Sequence, residues 1–344
     1  MPTRVLIIQT AFIGDVVLIT PLVQAAKERL KADLVSVVVR PSTAELLYNN
    51  PCVDEIIPYD KKETQKGLSG LIAMAGRLST VPFDTALIPH RSVRSAFLAW
   101  LARIPERIGF ASSAGRWLFT HRIPYQCVHE VDRNLSLLSP WSDVNPASYP
   151  PALYPDDGDR AFVDALLHRH GFVSSDRLIG VNPGSIWATK RWRPERFADI
   201  VRRVEQDMDA RAVLFGGWED AELCRSIASQ SGAKPLIAAG EATLLQSAAL
   251  VERCAALVSN DSAMAHIAAA MGTLVVDIFG PTMPSFGFTP YGQGHCSIEY
   301  NLACRPCGRH GSASCPVGTH ECMTGITSDQ VFEALSDMVD HNTG

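Results

Sequence analysis

The chain has 344 residues and a hydrophobic fraction of 47%, enough for two domains of ordinary size with a core each. Lys and Arg number 31 against 36 Asp and Glu, and this net charge of -5 argues against a general nucleic-acid binder. No apolar stretch approaches the ~20 residues that span a bilayer. No signal peptide is visible at the start, and nine cysteines without such a signal read as reduced thiols, so a cytoplasmic protein is expected.

In chain order, residues 5–8 form a continuous apolar run, as in a parallel strand covered on both faces. A helix over 16–31 and a strand over 34–39 complete a βαβ unit. Further helices are expected near 43–49 and 68–78, with strands over 53–57 and 85–88. Residues 139–158, SPWSDVNPASYPPALYPDDG, hold five prolines and read as an exposed connection between domains. Beyond it, helices near 160–170, 194–205, 219–229, 243–253 and 262–271 alternate with strands over 178–181, 212–215, 235–238, 256–258 and 273–279. The pattern predicts an α/β protein of two doubly wound halves, 1–150 and 151–344, facing a central cleft. No GxGxxG, GxxxxGK[ST] or GxSxG follows any strand, which leaves dinucleotide-dependent dehydrogenases, P-loop enzymes and α/β hydrolases with little support.

Asp15 stands just beyond the first strand, where Gly14 lets the chain turn into a helix. Ligands of open α/β sheets sit beyond the carboxyl ends of strands, so this acid is a catalytic candidate. The plainer reading is a first-turn acid favoured by the helix dipole. In VNPGSIWATKRWRPERF, residues 181–197, Gly184 permits close backbone approach, Ser185 and Thr189 offer hydroxyls, and Lys190 can set positive charge against a phosphate. A solvated basic loop is the alternative.

In SNDSAMAHIAAAMG, residues 259–272, a small-residue helix opens with unpaired backbone N–H groups suited to a diphosphate, Ser262 adding a donor. Asp261 could accept from a sugar hydroxyl and His266 lies one turn beyond Ser262; capping and packing roles are the alternatives. Glu219, in FGGWED, could accept ribose hydroxyl hydrogens or simply favour a helix start. Arg91, Arg94, Arg103, Arg107, Arg116 and Arg122 face the single acid Glu106 within residues 90–122. On a helical turn Arg91 and Arg94 would share a face able to clamp an anionic second substrate. Last, Cys304, Cys307, Cys315 and Cys322 have a spacing that could close a tetrahedral structural zinc site, with His295, His310 and His320 as spare ligands, or form a packed reduced loop.

Taken in order, IGDVVLITP at 13–21, NPGSIWATKRWRPERFA at 182–198, SNDSAMAHIAAAMG at 259–272 and the CxxC segment continuing to Cys322, Met323 and Ile326 carry a family resemblance. The chain resembles the heptosyltransferases of glycosyltransferase family 9 over nearly its full length. The WATKRWRPERFA and cysteine segments look most like the lipopolysaccharide heptosyltransferase II branch. The resemblance implies a GT-B architecture, with an acceptor-binding domain over 1–150 and a nucleotide-sugar-binding domain over 151–344. It implies an inverting transfer of L-glycero-D-manno-heptose from ADP-heptose to a hydroxyl of the lipopolysaccharide inner core, the second heptose being favoured, with no catalytic metal. The acceptor would be met at the cytoplasmic face of the inner membrane.

By motif position Asp15 takes the family's general-base role and Lys190 matches the lysine that contacts the donor diphosphate. Asp261, Ser262, Ala263 and His266 fall in the donor-binding segment, with Gly184, Ser185 and Thr189 in the preceding loop. Glu219 is a looser match. Gly14, Arg91 and Arg94 are the acceptor-side candidates, the two arginines resting on charge and placement. Two alternatives remain: a family 9 transferase with another nucleotide sugar or acceptor, and a non-catalytic, zinc-containing nucleic-acid-binding protein, against which the overall charge weighs.

Overall fold

Two parallel six-stranded sheets organise the computed structural model, which describes residues 3–341. The chain divides between Tyr154 and Pro155 into two compact units, Met1–Tyr154 and Pro155–Gly344.

The first unit runs β1 (Arg4–Ile8), α1 (Ile13–Val17), α2 (Thr20–Arg29), β2 (Leu34–Val39), β3 (Glu55–Pro58), α3 (Gly67–Leu78), β4 (Thr85–Ile88), α4 (Val93–Leu101), β5 (Glu106–Phe110), β6 (His121–Ile123) and α5 (Glu130–Leu135). Its strand order is β3-β2-β1-β4-β5-β6. Val5, Leu6, Ile7 and Ile8 are wholly buried, because helices cover both faces of a central parallel strand. Val5 pairs with Val35 on one side and Thr85 on the other. The helix expected over 16–31 is two helices. Pro21 stands in the first turn of α2, where its missing N–H costs nothing, whereas inside one continuous helix it would clash with the preceding turn. The segment expected to be helical near 43–49 is a 3-10 turn, Pro41–Leu47.

The proline-rich connection is not a free linker. Tyr149 and Leu153 are buried; the Tyr149 hydroxyl accepts from Arg29 Nε at 3.0 Å and donates to Glu28 Oε2 at 3.0 Å. Ala152 N donates to Thr20 Oγ1, and Asn49 Nδ2 to Tyr154 O. Along this extended segment Tyr149, Pro151 and Leu153 are buried, while Pro150 is exposed. This strap carries the division past residue 150 to Tyr154.

The second unit repeats the plan: α6 (Asp157–Arg169), β7 (Leu178–Asn182), α7 (Pro194–Asp207), β8 (Arg211–Leu214), α8 (Ala221–Ser231), β9 (Leu236–Ile237), α9 (Leu244–Glu252), β10 (Cys254–Asn260), α10 (Ala263–Ala270), β11 (Leu274–Phe279), β12 (Cys296–Glu299), α11 (Glu321–Thr324) and α12 (Ser328–His341). The order β12-β11-β10-β7-β8-β9 is the order of the first sheet, strand for strand. Trp192 anchors the core under α7, edge-to-face with Phe197 at 5.0 Å, its Nε1 donating to Ile326 O.

In each parallel sheet the order of strand addition reverses once, between β1 and β4 in the first unit and between β7 and β10 in the second. Neighbouring crossovers leave these points on opposite faces, which opens a crevice past the strand ends.

Candidate active site

In the second unit the reversal point is lined by the residues that end β7 and β10. Asn182 Nδ2 donates to Ser259 Oγ at 3.1 Å and to Ser262 Oγ at 2.9 Å. Asn260 joins the other side, accepting from Trp192 N and donating to Pro183 O. Asp261 is buried between Lys190, whose Nζ lies 2.5 Å from its Oδ2, and Thr282, whose Oγ1 donates to the same oxygen at 2.6 Å. Both charged side chains are nearly out of water, 12% exposed for Lys190 and 8% for Asp261, so their attraction is little screened. Ser262 then caps α10 in an extended backbone conformation, and Ala263 adds no bulk at the first turn. The result is a lysine cation beside a helix start whose backbone N–H groups are free to meet an anion.

The structure places the other donor-side candidates differently. Thr189 is buried and its hydroxyl is committed to Ser312, accepting from the backbone N at 2.8 Å and donating to the O at 3.0 Å. It fastens the late cysteine segment instead of facing a ligand. Glu219 is exposed, while Asp220 packs on the loop before Lys190: a Cβ on Gly184 would fall 2.4 Å from Asp220 Oδ2. A side chain at 184 would have to displace that carboxylate, which also accepts from Gly217 N, and Asp220 is the acid the sequence reading passed over. Ser185 is half-buried, its carbonyl accepting from Arg191 Nε. His266 is buried in the body of α10.

Of the two readings of the cysteine segment, a zinc site or a packed reduced loop, the described residues show packing at Cys322. Cys322 lies in the hydrophobic core with Met323 and Ile326, where burial raises its thiol pKa, whereas Cys304 is exposed. Cys307 is also pushed up, chiefly by burial, and Cys315 Sγ accepts from His320 N, which lowers its pKa. Among the described residues no group of three or more His, Cys, Asp or Glu is disposed to hold a metal ion. The segment instead braces the site. His320 Nε2 meets Thr189 O at 2.7 Å, and Arg305 donates to Gly280 O and Thr282 O, one residue from each end of the turn that carries Thr282 to Asp261.

Beneath this turn, on β11, Asp277 is buried. Its Oδ1 accepts from Ser297 Oγ, while Oδ2 has no hydrogen-bond partner among the described residues. Burial first, and then the charge of Asp261, push its carboxyl up to about 8. A carboxyl raised on folding contributes stability that is complete below its ordinary range near 4 and is lost as the pH rises through about 8. Asp277→Asn should therefore flatten the fall of melting temperature between pH 5 and pH 9. Parallel curves for the two proteins would show that Asp277 does not titrate there.

In the first unit Asp15 is the third residue of α1, half-buried, and its Oδ2 accepts from Phe12 N at 2.9 Å. Gly14 precedes it in the same turn. The arginine clamp is not formed. Arg91 lies outside α4 and its guanidinium stacks on Tyr125 at 4.4 Å. Arg94 turns the other way, donating to Tyr59 Oη at 2.7 Å and Gln65 O at 2.9 Å. These partners come from distant parts of the chain and outcompete a shared face.

Three residues not singled out in the sequence surround the reversal point instead. Thr10, past β1, accepts from Lys61 Nζ at 3.1 Å and meets His90 Nδ1 at 3.1 Å; His90, past β4, also reaches Ser95 Oγ. Burial, reinforced by Lys61 and Arg91, drives the His90 pKa down to about 4, so the ring is neutral at pH 7. Burial also lowers the Lys61 pKa, with further lowering by Arg40, Lys62 and Arg94, which marks a concentration of positive charge past β2, β3 and β4. Thr10, Lys61 and His90 each sit two or three residues beyond the end of a strand, the signal that could have found them.

Two sheets with one reversed strand order, each with polar side chains gathered at the reversal, make the GT-B architecture of nucleotide-sugar transferases, and the protein is a glycosyltransferase of that class. Over residues 71–316 the chain matches Glycosyltransferase family 9 (heptosyltransferase), and it belongs to that family. It is 25% identical to lipopolysaccharide heptosyltransferase 2 of Salmonella typhimurium over 98% of each chain. Among solved structures, a family 9 glycosyltransferase from Veillonella parvula superposes with a TM-score of 0.87 at 25% identity, covering 98% of each chain. The E. coli ADP-heptose lipopolysaccharide heptosyltransferase II gives 0.79 at 24% identity, covering 99% of this chain and 100% of the other.

Proposed function

We propose that the protein transfers L-glycero-D-manno-heptose from ADP-heptose to a hydroxyl of the lipopolysaccharide inner core, the second heptose being the favoured product. The observation that carries this reading is the Lys190–Asp261–Thr282 cluster at the start of α10, an anion-binding arrangement at the reversal point of the second sheet. The printed names of the similar proteins, heptosyltransferase 2 and ADP-heptose heptosyltransferase II, support the donor and the acceptor class.

Asp15 accepts the proton of the acceptor hydroxyl as that oxygen bonds to the anomeric carbon of the heptose. The bond from that carbon to the diphosphate breaks on the opposite side, its electron pair leaving with ADP, and a single displacement inverts the centre. Lys190 and the N–H groups at the start of α10 stabilise the growing diphosphate charge, the role a metal ion plays in other transferases. Lys61, Thr10 and neutral His90, with Arg40 nearby, suit an anionic acceptor. Among the described residues no helix is long and apolar enough to cross a membrane.

Mass spectrometry of truncated core acceptors incubated with ADP-heptose tests the reading directly. One added heptose is expected with ADP-heptose and none with UDP or GDP sugars. Transfer from a UDP or GDP sugar, with no binding of ADP-heptose, would overturn the donor assignment.

A further inference from the structure

The first unit exposes an apolar face that the displacement above does not use. On α3, Leu68 and Ile72 stand one turn apart outside the core, 69% and 55% exposed. On α4, Val93, Phe97 and Trp100 repeat at helical spacing; the Trp100 ring meets Phe97 edge-on at 5.9 Å, and 47% of the residue is exposed. The 3-10 turn Arg116–Leu118 lies against this helix, since a Cβ on Gly115 would fall 2.5 Å from Ala96 Cβ and 3.3 Å from Val93 Cα. That turn presents Trp117, 57% exposed. Ile72 and Leu101 line one groove between α3 and α4, so the two helices share one apolar surface.

Basic side chains surround it. Arg91, Arg94 and Arg107 are engaged elsewhere, by Tyr125, by Tyr59 and Gln65, and by the Leu118 carbonyl. Arg77 on α3, Arg103 in the groove and Arg116 in the turn are exposed, and none has a carboxylate partner among the described residues. Asp84 also lines the groove, where its carboxylate accepts from Arg4 N at 2.8 Å.

We propose that this face docks on an anionic lipid surface, with Leu68, Ile72, Trp100 and Trp117 among the lipids and Arg77, Arg103 and Arg116 on the headgroup phosphates. Tryptophan suits that depth because its ring is apolar and its N–H polar. Arginine stems cover apolar surface while the guanidinium binds phosphate. A second copy docked by the same face would set arginine against arginine, which favours lipid as the occupant. Helix α4 also carries Ser95, whose hydroxyl meets His90 at 3.1 Å, so the docked helix leads to the cluster suited to the acceptor. The inference rests on the proposed acceptor, a core sugar borne by a lipid, and states where the protein meets that lipid.

Flotation of the full chain with vesicles tests it. The wild type should float with mixed phosphatidylethanolamine and phosphatidylglycerol, not with phosphatidylcholine alone, and added salt should release it. Trp100→Ser with Trp117→Ser, and separately Arg103→Glu with Arg116→Glu, should each weaken binding about 10-fold or more. All four sites are exposed, so both double variants should keep the wild-type melting temperature and the wild-type rate on a lipid-free truncated core acceptor. No flotation of the wild type, equal flotation with phosphatidylcholine, or equal flotation of all three proteins overturns the proposal. So does a dimer in sedimentation that the tryptophan pair dissolves. A wild-type chain that floats as expected but transfers no heptose would instead remove the acceptor reading and leave the lipid-binding face standing.

Discussion

Asp15→Asn is expected to lower kcat by about 10²- to 10⁴-fold, the range a general base contributes, equivalent to about 3–5 kcal/mol of barrier. Asparagine is the informative replacement because Asp15 has two competing duties. Its carboxylate accepts from Phe12 N at the start of α1, and that alone would explain an acid at this position. The Asn Oδ1 can take the same hydrogen bond but cannot accept a proton at neutral pH, so the local helix is kept while the base is lost. ADP binding, measured by calorimetry, should stay within about twofold, since the proposed nucleotide contacts belong to the other unit. If Asp15→Asn lowers the melting temperature and leaves kcat unchanged, Asp15 is a helix cap and the base lies elsewhere.

What the sequence could disclose divides along a physical line. Buried parallel strands announce themselves as short apolar runs, and 85–88 and the start of 178–182 coincide with β4 and β7. Asp15, Lys190 and Asp261 can be picked out as candidates because each follows such a run within one turn or loop, and the structure brings Lys190 and Asp261 together. The sheet order was not legible, and with it went any contact assembled across strands. Thr10 and His90 meet because β1 lies beside β4, and Lys61 reaches Thr10 from beyond β3, on the other side of β1.

Arg91 and Arg94 mislead for the converse reason. Their three-residue spacing says nothing of Tyr125, Tyr59 or Gln65, the groups that actually take the two guanidinium ions. The cysteine spacing leaves a tetrahedral site and a packed reduced loop both open, and only the folded chain shows that Cys322 packs with Met323 and Ile326. The same packing explains why a segment so remote from Asp15 belongs to the enzyme: its Arg305, Ser312 and His320 hold the two loops that bring Lys190 and Thr282 to Asp261.

Lys190→Ala is expected to lower kcat by about 10²- to 10³-fold, as does loss of a preorganised group that stabilises developing charge. The expected split between kcat and substrate affinity follows from where the charge appears. The donor diphosphate is already anionic in the ground state, so part of the Lys190 contribution is ordinary binding and part is realised only as the leaving oxygen gains negative charge. The lost lysine also strands Asp261. That carboxylate, 8% exposed, would keep Thr282 but lose its cation, and its charge would then repel the diphosphate.

Asp261→Asn combined with Lys190→Ala should therefore recover ADP affinity relative to Lys190→Ala alone, while leaving kcat low. Lys190→Arg should not restore the rate, because a planar guanidinium cannot occupy the point position now 2.5 Å from Asp261 Oδ2. Steady-state transfer kinetics with ADP titration of the four proteins checks all three statements. A raised KM with unchanged kcat in Lys190→Ala would mean that this lysine binds the donor without assisting its departure.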